Sequence, residues 1–257
     1  MDQKKVSFIL TTYNCIQYFQ ETIASILAQD YPAIEIVVKD GQSTDGTKEL
    51  IASYARELGN KLIWKSSADR GIYDAMNQGY QMSQGDIIVF FNDVLVHKSV
   101  VSHMVQAIEA GGDDCIGAHA DLIYADGDKV VRYWRMGKGK IRQGWMPGHP
   151  TLYLKREVYE EFGLYDASYQ CSADYEFMVR ALTGREQQLA YVPEMIVRMF
   201  YGGTSTQGLR NYFVSLREAH RALKSNGVRG ALLADLRRTW KVMMQFRQAR
   251  RNVPVCL

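Results

Sequence analysis

The chain has 257 residues, 47% of them hydrophobic and 23% charged, with a formal net charge of +3. That is room for one large α/β domain, or for one domain with an appendage, at an ordinary globular composition. No stretch reaches the roughly 18 consecutive apolar residues of a membrane span, residues 1–5 lead straight into a hydrophobic run without a signal-peptide core, and Cys15, Cys115, Cys171 and Cys256 include no CxxC pair. A spanning helix, a secretory leader, a zinc site and a disulfide framework are therefore not expected, and cytoplasmic residence with free thiols is.

In chain order, the hydrophobic run 6–10 predicts a strand, and 16–28, with Phe19, Ile23, Ile26 and Leu27 near a helical period, predicts a helix stopped by Tyr31-Pro32. A second strand is expected over 34–38. Thr44 or Asp45 is placed to cap a helix over 46–58, followed by a third strand at 62–64. The spacing predicts a helix over 72–82 ended by Gly85, then a buried strand over 86–91 with Asn92-Asp93 at its tip. Such alternation implies right-handed crossovers and a largely parallel sheet.

The middle is less regular. A helix is expected over 99–109, strands over 115–122 and 129–134, and a glycine-rich basic loop over 135–148, long enough to act as a lid. A strand over 151–154, helices over 156–162 and 173–182, and return segments over 189–192 and 195–201 complete the body.

Two motifs stand at the carboxyl ends of the first two strands, where open α/β sheets bind ligands. They are Thr11-Thr12-Tyr13-Asn14 and Asp40-Gly41-Gln42-Ser43-Thr44-Asp45-Gly46-Thr47. A carboxylate at Asp40 suits a uracil imide or a ribose hydroxyl, while an Asx turn and helix cap is the competing reading for that motif alone. The series continues with Asp69-Arg70-Gly71-Ile72-Tyr73-Asp74-Ala75-Met76-Asn77-Gln78-Gly79 and then Asn92-Asp93.

This ordered series closely resembles the inverting glycosyltransferases of family 2, and among them the enzymes that extend O-antigen, colanic-acid and other bacterial exopolysaccharides. The similarity spans about residues 5–205. The resemblance implies an α/β GT-A fold: a Rossmann-like nucleotide-binding half, about 1–95, joined to an acceptor-binding and catalytic half, 96–208. It implies a sugar-nucleotide co-substrate and a divalent metal, Mn²⁺ or Mg²⁺. Carried over by motif, Thr11, Tyr13, Asn14, Asp40, Ser43 and Asp69 surround the nucleoside, with Arg70, Gly71, Asn77 and Asn92 nearby. Tyr73, Met76 and Tyr80 read instead as the packing face of a helix.

Related enzymes usually carry Asn-Ser-Asp-Asp at the end of the fourth strand, and this chain has Phe91-Asn92-Asp93-Val94-Leu95. Either Asp93 alone anchors the metal that neutralises the leaving diphosphate, or the site is impaired. An inverting transfer is one in-line displacement and needs a general base opposite the leaving group. Ser172-Ala173-Asp174-Tyr175-Glu176 matches the family segment that holds it, which makes Asp174 the base or a helix N-cap, with Glu176 second. Gly148-His149-Pro150-Thr151 places His149 near the donor sugar or acceptor. Trp134 and Trp145 are of a kind that stacks on sugars, with burial expected for at least one. Gly202-Gly203-Thr204-Ser205 resembles the segment that closes related catalytic domains over the diphosphate.

Charge is unevenly placed. From Leu209 onward eleven Lys/Arg stand against two Asp/Glu, a net of +9, leaving the preceding residues at −6. The tail, 209–257, reads as a basic amphipathic helical extension with stripes Tyr212, Leu216, Ala219, Leu223 and Leu232, Leu236, Trp240, Met243, the second opposed by Arg237, Arg238, Lys241 and Gln245. It suits an anionic membrane surface, or packing on the domain or on a second subunit of a homo-oligomer. No recognition motif for nucleic acid accompanies it.

These features point to a cytoplasmic, peripheral, inverting hexosyl- or N-acetylhexosaminyltransferase that uses a UDP-sugar ahead of other donors and a glycan or lipid-linked glycan acceptor. The alternative is a catalytically weakened sugar-nucleotide-binding subunit of a polysaccharide assembly complex. A nucleotidyltransferase shares the sheet but would need a glycine- and lysine-rich opening loop.

Overall fold

In the computed structural model, which describes residues 3–127, 129–200 and 208–249, nine strands of those residues form one sheet. Its first half is β1 (Val6–Thr12), α1 (Ile16–Leu27), β2 (Ile34–Asp40), α2 (Thr47–Leu58), β3 (Leu62–Ser66), α3 (Ile72–Met82) and β4 (Ile87–Phe90). The strands lie in the order β3-β2-β1-β4 and are all parallel. β1, β2 and β4 are nearly solid runs of buried residues because both faces of a parallel sheet are covered by its crossover helices. α1 and α2 close one face with Phe19, Ile23, Ile26 and Ile51. α3 sets Tyr73 and Met76 against the other, where Ile9, Val37 and Phe90 project.

The second half comprises β5 (Val94–Leu95), α4 (Val100–Ala110), β6 (Gly117–Asp126), β7 (Lys129–Trp134), β8 (Tyr153–Lys155), α5 (Arg156–Phe162), α6 (Ala173–Leu182), β9 (Leu189–Phe200), α7 (Gly208–Ser225) and α8 (Ala231–Ala249). The sheet continues β4-β8-β6-β9-β5, with β7 hairpinned onto β6. It is one continuous sheet across residue 95. It is also less parallel than expected: β8 runs antiparallel to both β4 and β6, and β5 antiparallel to β9.

Three further differences have local causes. β5 has only two residues, too few to carry a periodicity. The two return segments are a single strand, β9, whose pairing jumps from Ala120↔Val192 to Asp121↔Met195. Pro193 has no N–H for the ladder, so Pro193-Glu194 bulges out. At α2 the N-cap position is Gly46, while Asp45 accepts from the Thr47 N–H at 3.1 Å and also from the Ile16 N–H at 3.1 Å, serving two helix N-termini at once.

The tail helices pack on the body. α7 buries Ala219, Ala222 and Leu223 in the core cluster that contains α6, and leaves Tyr212 exposed. Of the side chains described in α8 (231–245), only Ala231 and Ala234 are buried, and the stripe Leu232, Leu236, Trp240, Met243 is exposed. Its opposite face lies on the domain: the Arg238 guanidinium sits 4.4 Å from the Tyr175 ring centroid, the Gln245 carbonyl accepts from Arg132 Nε at 2.7 Å, and Lys241 Nζ donates to the Gln143 carbonyl at 3.3 Å. The approach is close because residue 144 is glycine: a Cβ there would stand 2.7 Å from the Ala234 carbonyl oxygen. No helix among the described residues is long and apolar enough to cross a membrane.

Candidate active site

The ends of β1 and β2 are tied together through Asp40. Its carboxylate has no exposed surface and accepts four hydrogen bonds: Thr12 Oγ1 at 3.0 Å, Ser43 Oγ at 2.5 Å, Ser43 N–H at 3.0 Å and Ser66 Oγ at 2.6 Å. Burial alone would raise its pKa, but the bonds from Ser43, Ser66 and Thr12 hold it below the ordinary value. Asp40 therefore shapes the loop from within, and the surface offered to a ligand is made by its neighbours. Ser43 Oγ also accepts the Asn14 N–H at 2.9 Å, and Asn14 Oδ1 accepts the Thr44 N–H at 2.8 Å. These bonds hold Asn14 at φ 47, a left-handed conformation that asparagine tolerates better than most residues. Asn92 closes the set by accepting the Thr11 N–H at 3.1 Å and donating to Thr11 Oγ1 at 3.0 Å.

Tyr13, Asp69 and Arg70 stand at the surface of this framework. Tyr13 is 68% exposed. Asp69 is held by Lys39, whose ammonium lies 3.0 Å from Asp69 Oδ2 and donates also to the carbonyls of Asp40 and Ser67. Lys39 is fully buried, and all three of its donors are used. The only sequence signal for it was a lysine inside a buried strand. A Cβ at Gly41 would lie 2.9 Å from Asp69 Oδ2 and 3.4 Å from the Tyr13 ring, so a side chain there would press the Asp69 carboxylate out of its present place. Asp69 Oδ1 accepts the Gly71 N–H at 3.1 Å, with Gly71 at φ 114 before α3. Arg70 reaches Asp74 at 3.2 Å and otherwise projects into solvent. The Asn77 amide donates to and accepts from the Tyr165 backbone at 2.9 and 3.0 Å, fastening that loop to α3.

Beyond α3 lies a cavity of about 740 Å³ lined by His149, Asp174, Trp134, Arg135, Arg238 and Lys241 among others. Ser172 occupies the N-cap position of α6, which leaves Asp174 half-buried in the first turn and facing the cavity. The Tyr73 hydroxyl, expected to be only core, donates to Asp174 Oδ1 at 3.1 Å. Burial and the adjacent carboxylate push the Tyr73 phenol well above its ordinary pKa, so it stays a donor. His149 Nε2 lies 2.7 Å from the Tyr165 hydroxyl, and its ring stacks on Phe90. Burial lowers its pKa, keeping the imidazole neutral. Glu176 is engaged elsewhere: it pairs with Arg180 at 2.9 and 3.0 Å and accepts from Asn226 at 3.1 Å. Trp145 is buried with its indole N–H on the carbonyls of Met136 and Gly137, while half-buried Trp134 carries the Arg132 guanidinium 4.8 Å from its ring centroid. Residues 202–205, the diphosphate-closing segment of the sequence, lie outside the described residues.

Asp93, at the end of β4, is almost completely buried, and burial pushes its carboxyl up to about 7 against the opposing influence of the Phe200 backbone and Arg198. A carboxylate this poorly solvated gains from a nearby cation. Among the described residues no cluster of three His, Cys or acidic groups includes it. The donor chemistry fits Mg²⁺ or Mn²⁺, which bind through one or two carboxylates and take their other oxygens from phosphate and water.

A parallel nucleotide-type half joined through one mixed sheet to a cavity with a carboxylate is the GT-A architecture of glycosyltransferases. Solved structures share it. A mannosyltransferase from Pyrobaculum calidifontis, in complex with GDP-Man and Mn²⁺, superposes with a TM-score of 0.64 over 96% of this chain and 74% of its own, at 18% identity. Staphylococcus aureus TarS 1-349, in complex with UDP-GlcNAc, gives 0.66 over 96% and 74%, also at 18% identity. The sequence settles the family: residues 7–171 match the profile of "Glycosyl transferase family 2", and the chain belongs to that family and is a glycosyltransferase. A "PGL/p-HBAD biosynthesis glycosyltransferase" of Mycobacterium tuberculosis is 25% identical over 96% of this chain and 95% of its own length. A second glycosyltransferase of that organism is 30% identical over 68% of each chain.

Proposed function

We propose that the protein moves one sugar, with inversion, from a nucleoside-diphosphate donor, a UDP-sugar ahead of others, to a glycan or lipid-linked glycan acceptor in bacterial surface polysaccharide synthesis. The observation that carries this reading is Asp174: a half-buried carboxylate facing a large cavity and joined by Tyr73 to α3, the helix that follows Asp69-Arg70-Gly71. Tyr13, Asp69 and Arg70 offer polar surface for the nucleoside, and the Asp40 network holds that surface in place before the donor arrives. Asp174 takes the acceptor hydroxyl proton as its oxygen attacks C1 of the sugar, while the C1–oxygen bond to the diphosphate breaks and the nucleoside diphosphate leaves. His149, neutral and held by Tyr165, orients sugar hydroxyls. A divalent cation held by Asp93, when bound, supplies charge neutralisation for the diphosphate. The UDP-GlcNAc and GDP-Man–Mn²⁺ complexes of the structural neighbours support this choice of donor class and ion.

The acceptor side is cationic and apolar together. Arg135, Lys138, Arg238 and Lys241 line the cavity, with Trp240 and Met243 beside them. That suits an acceptor joining a phosphate to a lipid. The outward stripe of α8, with exposed Arg229 and Arg237 alongside, would lie in the interface of an anionic membrane on the cytoplasmic face.

The test is Asp174→Asn assayed with UDP-sugars and Mn²⁺. Transfer should fall by roughly 10²–10⁴ with donor affinity retained; full activity in this variant would end the assignment. The reading as a weakened binding subunit is favoured by the single carboxylate at Asp93, and it would prevail if the wild type binds donor but neither hydrolyses nor transfers it.

A further inference from the structure

We propose that His97, His103 and Glu194 form a second metal site, selective for a d-block divalent cation such as Zn²⁺, separate from the transferase cavity. Glu194 Oε2 lies 2.9 Å from His103 Nδ1 and 3.6 Å from His97 Nε2, and the three ligand atoms are all within 4.8 Å of one another. With Zn–N and Zn–O bonds of about 2.0–2.2 Å, neighbouring ligands in a tetrahedron stand about 3.3 Å apart. The two spacings to Glu194 bracket that value, and the two imidazole nitrogens lie within 4.8 Å of each other, so side-chain rotation alone can close the site.

Each ligand is positioned by a different element. His97 follows β5 in a turn pinned by Gln29, whose amide donates to the His97 carbonyl at 2.9 Å, and by the Asp30 N–H on the Lys98 carbonyl at 2.8 Å. Ser99 Oγ lies 3.3 Å from His97 Nδ1, the outer partner that leaves Nε2 to face the metal. His103 projects from the first turns of α4. Glu194 leaves the ladder because Pro193-Glu194 is the bulge of β9. Two imidazoles converging on one carboxylate oxygen make a better cation site than a salt bridge, since one carboxylate needs only one cationic partner. All three side chains are 36–40% exposed, which leaves a fourth position for water. Two imidazoles and one carboxylate favour Zn²⁺, Co²⁺ or Ni²⁺ over Mg²⁺. None of the three lines the cavity. Their effect is to staple the two-residue edge strand β5, which directly follows Asp93, to β9 and α4.

The test uses the full chain stripped with a chelator and titrated with Zn²⁺, Mg²⁺ and Mn²⁺ separately, without nucleotide. Calorimetry and thermal unfolding are read for the wild type, His103→Ala, Glu194→Gln and the control His220→Ala, which removes the histidine paired with Asp235 elsewhere. The expected result is one Zn²⁺ per chain at this site, a Tm raised by Zn²⁺ in the wild type and in His220→Ala but not in His103→Ala or Glu194→Gln, and at least about tenfold weaker Zn²⁺ binding in those two variants. X-ray absorption of the zinc-loaded wild type should show two imidazoles, a readout that needs no variant to fold. Equal Zn²⁺ affinity in all variants, equal response to Mg²⁺, or fewer than two imidazoles on the zinc would overturn the proposal.

Discussion

The Tyr73 hydroxyl donates a 3.1 Å hydrogen bond to Oδ1 of Asp174, across 101 residues of sequence. It couples α3, which follows the proposed donor-side loop, to α6, the helix that carries the proposed base. Tyr73 is a positioning residue, so Tyr73→Phe should lower kcat about tenfold with KM for the acceptor little changed, at a stability cost of about 1 kcal/mol. Steady-state kinetics beside thermal unfolding checks this; a purely structural tyrosine would move Tm and leave kcat per folded molecule intact.

Asp93 ties stability to pH. Its folded value near 7 lies above the about 3.9 of an unfolded aspartate, so the unfolded chain ionises first as pH rises. The contribution of this group is fully present below about pH 4, declines through the interval up to about 7, and is level beyond it. Asp93→Asn removes the decline: its Tm should exceed that of the wild type by about 5 °C or more at neutral pH and match it near pH 4. Excess Mn²⁺ should narrow the gap at neutral pH by stabilising only the wild type. Parallel melting curves across the range, with and without Mn²⁺, measure both effects.

Lys39 gives a third test. Replacing it with methionine keeps the volume but removes the ammonium from Asp69 Oδ2 and from the carbonyls of Asp40 and Ser67. The expected loss is about 3 kcal/mol of stability. Weaker donor binding should accompany it, because Asp69 is no longer held beside Tyr13. Denaturant unfolding and donor calorimetry of Lys39→Met give the two numbers.

The outward stripe of α8 gives a fourth. Leu232 and Leu236 are more than 60% exposed and do not line the cavity. Changing both to glutamate should abolish co-sedimentation with vesicles containing anionic lipid while leaving Tm and transfer to a soluble acceptor unchanged. Undiminished sedimentation would remove the membrane from the reading of the tail.

Local chemistry was enough for the elements whose signals are local. The bounds of α3, α5 and α6 follow from helical periodicity, and the strands of the parallel half from apolar runs that end in polar residues. The ordered motifs named residues that meet at the ends of β1 and β2, but not which of them would be buried. Asp40 reads as a ligand carboxylate and is the internal fastener, because four donors from two strands and a turn converge on it only after β1, β2 and β3 pair. Lys39 is invisible as a partner of Asp69 until β2 meets the loop before α3.

The same division runs through the second half. β5 is too short to leave a pattern, and β8 could take either direction until β4 and β6 stood on each side of it. The tail was legible as two amphipathic helices, yet which face turns inward depended on Gly144 and Tyr175, more than fifty residues away, accepting the small and cationic side rather than the leucines. Periodicity and turn chemistry act over a few residues and so are written in the chain. Pairing partners, burial and the meeting of Tyr73 with Asp174 depend on distances set only when the sheet closes.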